Sequence, residues 1–241
     1  MDHSGMNARE WLEVQDAMVD VAPFYDRVNS LITFGLAETW RKRIASLAGP
    51  EDEVLEIGSG PGTFAKHLDC RTVYCLEPLG DLAARSRGSL DGARANVLRG
   101  VGENLPLADE SVDKVFCVFS FRDFFDRGAS VEEMRRVLRE GGELFIADVA
   151  KPSRGPLSKL LELHVRHVVP MLARVAVPPE TRLRWSRDPY RTFAETYEAF
   201  GFTDVYEDLM RRTGFSDVKT DYLELKGATV TRGKKPWRST S

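Results

Sequence analysis

Apolar residues recur at helical spacing near the start of the chain: Trp11, Leu12, Val14, Met18, Val21 and Ala22 predict a helix from about Ala8 to Tyr25. After a turn-like segment, Leu36–Leu47 reads as a second helix. The period then changes. Val54-Leu55-Glu56-Ile57 suits a short buried strand, Thr63–Leu68 a helix, and Val73–Leu76 another strand. A helix near Leu82–Arg87 and a strand near Ala95–Leu98 continue the alternation. An apolar strand over Val112–Phe119 and a helix over Val131–Arg139 come next. Gly141-Gly142 is expected to end that helix, leaving Glu143–Val149 as the fifth strand.

Strands alternating with helices predict a mostly parallel sheet covered on both faces. Residues 153–200 interrupt the pattern with helical periodicity. A helix at Val205–Arg212 and closing strands at Val218–Leu225 and Ala228–Arg232 follow. The chain therefore reads as one doubly wound α/β domain over 1–241. It carries an amino-terminal helical cap (1–48), a helical lid insertion (153–200) and a flexible tail (233–241).

Composition narrows the classes. Hydrophobic residues make up 42% and charged residues 29%, a globular balance that excludes disorder. The net charge of −3, with no basic stripe interleaved with aromatics, argues against a nucleic-acid partner. Cys70, Cys75 and Cys117 show no CxxC spacing, and two of them fall in strand-like runs, so buried reduced thiols are expected. No apolar run has membrane-spanning length and no leader-like pattern opens the chain; a cytoplasmic protein is expected.

The strongest local signal is Glu56-Ile57-Gly58-Ser59-Gly60-Pro61-Gly62, between a predicted strand and a predicted helix. A ligand approaches such a turn closely only where side chains are missing. Dinucleotide enzymes use G-x-G-x-x-G; here the third glycine comes one residue early. Glu56 would repel a pyrophosphate but suits the cationic amino group of a methionine moiety. Glu77 ends the second strand, where a carboxylate can accept hydrogen bonds from two ribose hydroxyls. Together these fit a neutral-to-cationic cofactor with a methionine moiety, as in S-adenosyl-L-methionine, better than NAD.

Further stretches carry a resemblance. Val21-Ala22-Pro23-Phe24-Tyr25-Asp26 with Asn29, Phe34-Gly35-Leu36, Trp40-Arg41 and Glu103-Asn104-Leu105-Pro106-Leu107 stand in order along the chain. Phe119-Ser120-Phe121-Arg122-Asp123, Arg136 to Gly142, Lys151-Pro152 and His167-Val168-Val169-Pro170 follow. Tyr190, Phe193, Phe200, Gly214-Phe215 and Gly227 complete the series. In order and spacing, from about Met18 to Pro236, the chain resembles the ubiquinone/menaquinone-biosynthesis C-methyltransferases, a branch of the class I methyltransferases.

The resemblance implies a Rossmann-like seven-stranded sheet whose last strand runs antiparallel. By position it implies cofactor contacts at Glu56, Gly58, Ser59, Gly60 and Pro61, at Glu77 and Pro78, at Val101 and Gly102 beside the adenine, and at Val118. Three positions depart from the pattern. Val101 replaces an Asp or Asn that meets the adenine amine, Val118 replaces a common serine, and Asp123 replaces an asparagine. A weaker or differently oriented adenine is expected from the first.

The resemblance also points to Arg122, Asp123 and Tyr25 as the catalytic centre. Arg122 would stabilise a phenolate and orient a water, with Tyr25 positioning that water or the methionine end. Asp123 would act as the base or form a structural pair with the arginine. His164 and His167 stand at a spacing that can hold a metal, but no third ligand is near and the family requires none. No metal is expected; His167 is a candidate substrate contact.

Leu157–Val177 mixes Leu160, Leu161, Leu163, Val165, Val168, Val169, Met171, Leu172 and Val175 with Lys159, Arg166 and Arg174. That pattern suits a lid for a prenylated acceptor reached from a membrane surface, and equally a core-packing helix. The expected activity is C-methylation of a demethylmenaquinone-like ring. Transfer to another small molecule or lipid on the same fold, and a non-catalytic cofactor-binding subunit, are the competing readings. Oligomeric state is left open.

Overall fold

A computed structural model describes residues 8–91, 94–152, 155–185, 187–199 and 204–238. Phe200 and the outer ends of the 1–48 cap, the 153–200 lid and the 233–241 tail lie outside them, as do the side chains of Trp11 and Val14.

Seven strands form one sheet: β1 (Glu53–Ile57), β2 (Thr72–Glu77), β3 (Ala95–Arg99), β4 (Val112–Val118), β5 (Leu138–Val149), β6 (Ser216–Tyr222) and β7 (Ala228–Lys234). Their spatial order is β3-β2-β1-β4-β5-β7-β6. Strands β3 to β5 pair in parallel, and β7 runs antiparallel to both its neighbours. The expected architecture is present.

Alternate side chains of the central strands divide the core into two layers. Leu55, Ile57, Val115, Cys117, Leu144 and Ile146 pack on one face with α5 (Arg127–Val137) and α10 (Asp204–Arg212). Val54, Phe116, Val118, Phe145 and Ala147 pack on the other with Trp40 and Ile44 of α3 (Leu36–Ala45). Helix α4 (Gly80–Ser89) joins β2 to β3. All three cysteines are buried and free.

The cap and the lid build a third cluster away from the sheet. Val21 of α1 (Ala8–Val21) and Val28 and Ile32 of α2 (Tyr25–Ile32) pack on Val169, Ala173 and Ala176. The lid comprises α6 (Pro156–Leu163), a π-helical turn (His164–Val168), α7 (Val169–Ala176), α8 (Pro179–Arg182) and α9 (Pro189–Ala199). Leu157–Val177 packs as a core helix on one side only. Val165, Val169 and Ala173 are buried, while Leu160, Leu163, Met171 and Val175 are exposed on the other side.

Several boundaries differ from the sequence pattern. The single helix expected over 8–25 is broken by a 3-10 turn at Ala22–Phe24, where Pro23 lacks an N–H, and α2 continues through the segment expected as a turn. The helix expected at 63–68 is one 3-10 turn, Ala65–His67, because the chain must return to β2. Helix α5 starts earlier, capped by Asp126, whose side chain accepts from Ala129 N at 3.0 Å. It also ends earlier. Leu138 pairs with Val112, and Gly141-Gly142 serves a register break within β5 instead of a helix stop. The expected tail is docked at its start: β7 runs to Lys234, and buried Lys235 donates to the Leu138 carbonyl at 2.6 Å.

Candidate active site

Strands β1, β2 and β4 deliver their carboxyl ends to one place, where open α/β sheets bind ligands. Gly58 N and Ser59 N donate to the Leu76 carbonyl at 2.8 and 3.1 Å, tying the loop after β1 to β2. Ser120 Oγ donates to the Ile57 carbonyl at 2.7 Å, and a Cβ on Gly58 would stand 2.5 Å from Ser120 Cβ. A side chain at 58 would force the strand ends apart. Gly60 has φ +54°, and nothing lies within 4 Å of where its Cβ would be. It leaves an open cradle.

Glu77 closes this frame. Its two carboxylate oxygens accept from Gly60 N at 2.9 Å and Leu79 N at 3.0 Å. Two bonds leave lone pairs for two further donors. Burial pushes its carboxyl up, and the two amides and Arg99 oppose the shift.

A cavity of about 630 Å³ opens above the frame. Gly58, Gly60, Pro61, Glu77 and Pro78 line it, with Val101, Gly102 and Val118. Tyr25, Arg122 and Asp123 line it too, so the expected cofactor and catalytic residues share one space. Three expected contacts stand outside this lining. Glu56 is buried beneath the loop, Ser59 Oγ is buried without a hydrogen-bond partner among the described residues, and His167 is exposed on the π-helical turn. His167 thus does not reach the cavity, because the turn aims it at solvent. Its neighbour His164 bonds the Ile32 carbonyl through Nε2 at 2.8 Å. Among the described residues no group of three His, Cys, Asp or Glu side chains could hold a metal.

Burial pushes the Glu56 carboxyl up to about 8, against the pull of Arg41 and with added repulsion from Glu77. Arg41 is itself buried, 3.9 Å from Asp26 and 5.9 Å above the Tyr25 ring. Burial also raises the Tyr25 phenol, whose partner is Asn29, and the Asp123 carboxyl, which Arg122 and Arg127 pull the other way.

Arg122 follows β4 on a single 3-10 turn, Phe121–Asp123. Its hydrogen-bonded carboxylate is Asp148 of β5, at 2.7 Å, not the neighbouring Asp123 alone that the sequence suggests. Tyr206 Oη donates to the same Asp148 at 2.6 Å. Sequence reasoning missed both Asp148 and Tyr206. An acid at the end of an apolar strand was the only available signal.

The residues fit S-adenosylmethionine. The cradle at Gly60 admits a ligand, Glu77 retains acceptors for a ribose, the orphaned Ser59 Oγ sits in the loop, and beneath it Glu56 holds a carboxyl that a cationic amine would ionise. The donor set lacks a side-chain acceptor at Val101, which lines the cavity and is 39% exposed.

Comparison with known proteins agrees. A family model described as the ubiE/COQ5 methyltransferase family matches residues 5–235. The demethylmenaquinone methyltransferase of Deinococcus radiodurans is 30% identical over 216 residues, 84% of each chain. That of Thermus thermophilus is 28% identical, over 90% of this chain and 99% of its own. Among solved structures, an S-adenosylmethionine-dependent methyltransferase from Thermotoga maritima superposes with a TM-score of 0.64 at 23% identity, covering 92% of this chain and 99% of that one, and supports the fold.

Proposed function

Because the chain belongs to the ubiE/COQ5 methyltransferase family and is an S-adenosylmethionine-dependent methyltransferase, we propose that it methylates a ring carbon of a prenylated, demethylmenaquinone-like quinol. The observation that carries this reading is the continuity of one cavity. Gly60 and Glu77, Arg122 and Asp123, and the apolar Leu12, Met18, Ile32, Phe125 and Phe193 all line it. The lining is mostly apolar and carries the charged pair Arg122 and Asp123, which suits a ring with an ionisable hydroxyl and a hydrocarbon tail. The names of the curated relatives point the same way.

When bound, S-adenosylmethionine supplies an electrophilic methyl group. The chain supplies position and charge. Arg122 stabilises the acceptor oxygen as it loses its proton, and the lost proton goes to Asp123, whose raised carboxyl is the stronger base for being buried. Tyr25 holds the ring or an intervening water beside them. An ionised hydroxyl makes the ring carbon electron-rich. Glu56 answers the cofactor's amine, and Val101 forgoes one adenine hydrogen bond, at a cost of about 1 kcal/mol.

The lid faces a bilayer in this reading. Phe34 (75% exposed), Leu160, Leu163, Met171, Val175 (72%) and Leu183 (86%) present apolar surface, with Lys159, Arg166 and Arg174 on the same helical segment. No helix among the described residues is long and apolar enough to cross a membrane.

The test is turnover of a short-tailed demethylmenaquinol by the purified chain, with the product's methyl located by tandem mass spectrometry. Methyl on the ring carbon is expected. Methyl on oxygen would replace the carbon chemistry with O-methylation, and no transfer would point to a different acceptor.

A further inference from the structure

Asp148 and Tyr206 do not line the cavity, yet both are committed to a residue that does. Asp148 Oδ1 accepts from Arg122 Nη1 at 2.7 Å and from Val149 N at 2.7 Å, and Oδ2 accepts from Tyr206 Oη at 2.6 Å. All three side chains are buried. The Phe193 ring lies 4.5 Å from the Arg122 guanidinium carbon, while Arg122 Nε is buried with no hydrogen-bond partner among the described residues. The guanidinium is clamped from two sides and still carries a spare donor.

A buried ion pair adds little net stability, because desolvation offsets the attraction. Its effect lies in placement and charge. A guanidinium answered by a carboxylate at 2.7 Å shows an incoming oxygen much less than a full positive charge. The Tyr206 hydroxyl acts in the opposite sense, drawing Asp148's negative charge toward its own proton. The other titratable groups around the guanidinium are Asp123 on its own turn and Tyr197 on α9, with Arg127 of α5 facing Asp123 and Tyr206.

We propose that Asp148 and Tyr206 are positioning residues that set the effective charge of Arg122, Asp148 tempering it and Tyr206 restoring part of it. This rests on the reading that Arg122 faces the acceptor's hydroxyl. The consequence is selectivity. An untempered guanidinium in an apolar cavity would hold carboxylates and phosphates, whereas a tempered one accepts a neutral phenol and ionises it only in part.

The test uses 1-naphthol as a ring-only probe, with S-adenosylhomocysteine present, and follows naphtholate absorbance against pH. Asp148→Asn keeps the shape and removes the countercharge. Its midpoint should fall by on the order of one pH unit, about tenfold more naphtholate at a given pH. Tyr206→Phe should move the midpoint upward by a smaller step. A residue with a merely structural role would not move it in opposite directions. Identical midpoints in the wild type and both variants, with wild-type near-ultraviolet circular dichroism, overturn the proposal. If Asp148→Asn fails to fold, Tyr206→Phe decides alone, and no upward shift overturns it. The double variant Arg122→Gln/Asp148→Asn tests the underlying reading: a midpoint unchanged from wild type removes Arg122 from the hydroxyl and this proposal with it.

Discussion

Gly60 N–H donates to Glu77 Oε2 at 2.9 Å, so the residue that ends β2 holds the crown of the loop that follows β1. Loop shape and ribose acceptor are thereby one unit. Glu77→Gln replaces a carboxylate oxygen with an N–H group that opposes the Gly60 or Leu79 amide. S-Adenosylhomocysteine affinity should fall roughly 100-fold, as expected for losing charge-assisted hydrogen bonds. Turnover at saturating cofactor should change by only a few-fold. Titration calorimetry and initial rates separate the two, and an unchanged affinity would remove Glu77 from the cofactor.

Glu56 gives a pH signature. With its carboxyl pushed up to about 8, it holds a proton at pH 7, and a cationic amine beside it favours the ionised form. Cofactor binding at pH 7 should release close to one proton, and the release should vanish above about pH 9. Calorimetry in buffers of different ionisation enthalpy measures this directly.

The same shift bears on stability. Between the ordinary carboxyl value of 4.5 and about 8 the folded chain holds this proton more tightly than the unfolded chain. The contribution is thus fully present below 4.5 and is lost as pH rises through 8. Glu56→Gln should melt higher than wild type at pH 8 and bind S-adenosylhomocysteine more weakly. A lower melting temperature together with unchanged binding would contradict both roles.

Arg122→Ala leaves Asp148 buried without its cation. Breaking a pair of this kind costs about 3–5 kcal/mol, and adding Asp148→Asn should recover part of the loss in urea unfolding. Below its transition Arg122→Ala should retain cofactor affinity while losing most turnover. Equal losses in both would count against its place at the acceptor.

How much of this was legible in the sequence follows from what each signal depends on. The loop and Glu77 were readable because a close ligand approach dictates glycine locally and a strand end fixes the carboxylate's place. Asp148 and Tyr206 were not, since their role exists only once β4, β5 and α10 meet, and an acid at a strand end does not by itself mark that meeting. His167 is exposed on a π-helical turn and does not line the cavity, a placement that no local pattern marks. Gly141-Gly142 read as a helix stop because pairing of Leu138 with Val112 is a long-range event.

The exposed face of the lid makes a separate prediction. The chain should float with vesicles containing anionic lipid at low salt and be released as salt rises. Leu163→Glu with Val175→Glu should abolish flotation without altering the melting temperature, because both side chains are exposed. No flotation of the wild type would remove the membrane contact.

The seat for the adenosyl group is the claim on which the other assignments stand, and calorimetry at pH 8 with two ligands tests it most directly. The account predicts saturable heat with S-adenosylhomocysteine at one site per chain and none with NAD. Tight binding of NAD and silence with S-adenosylhomocysteine would contradict it.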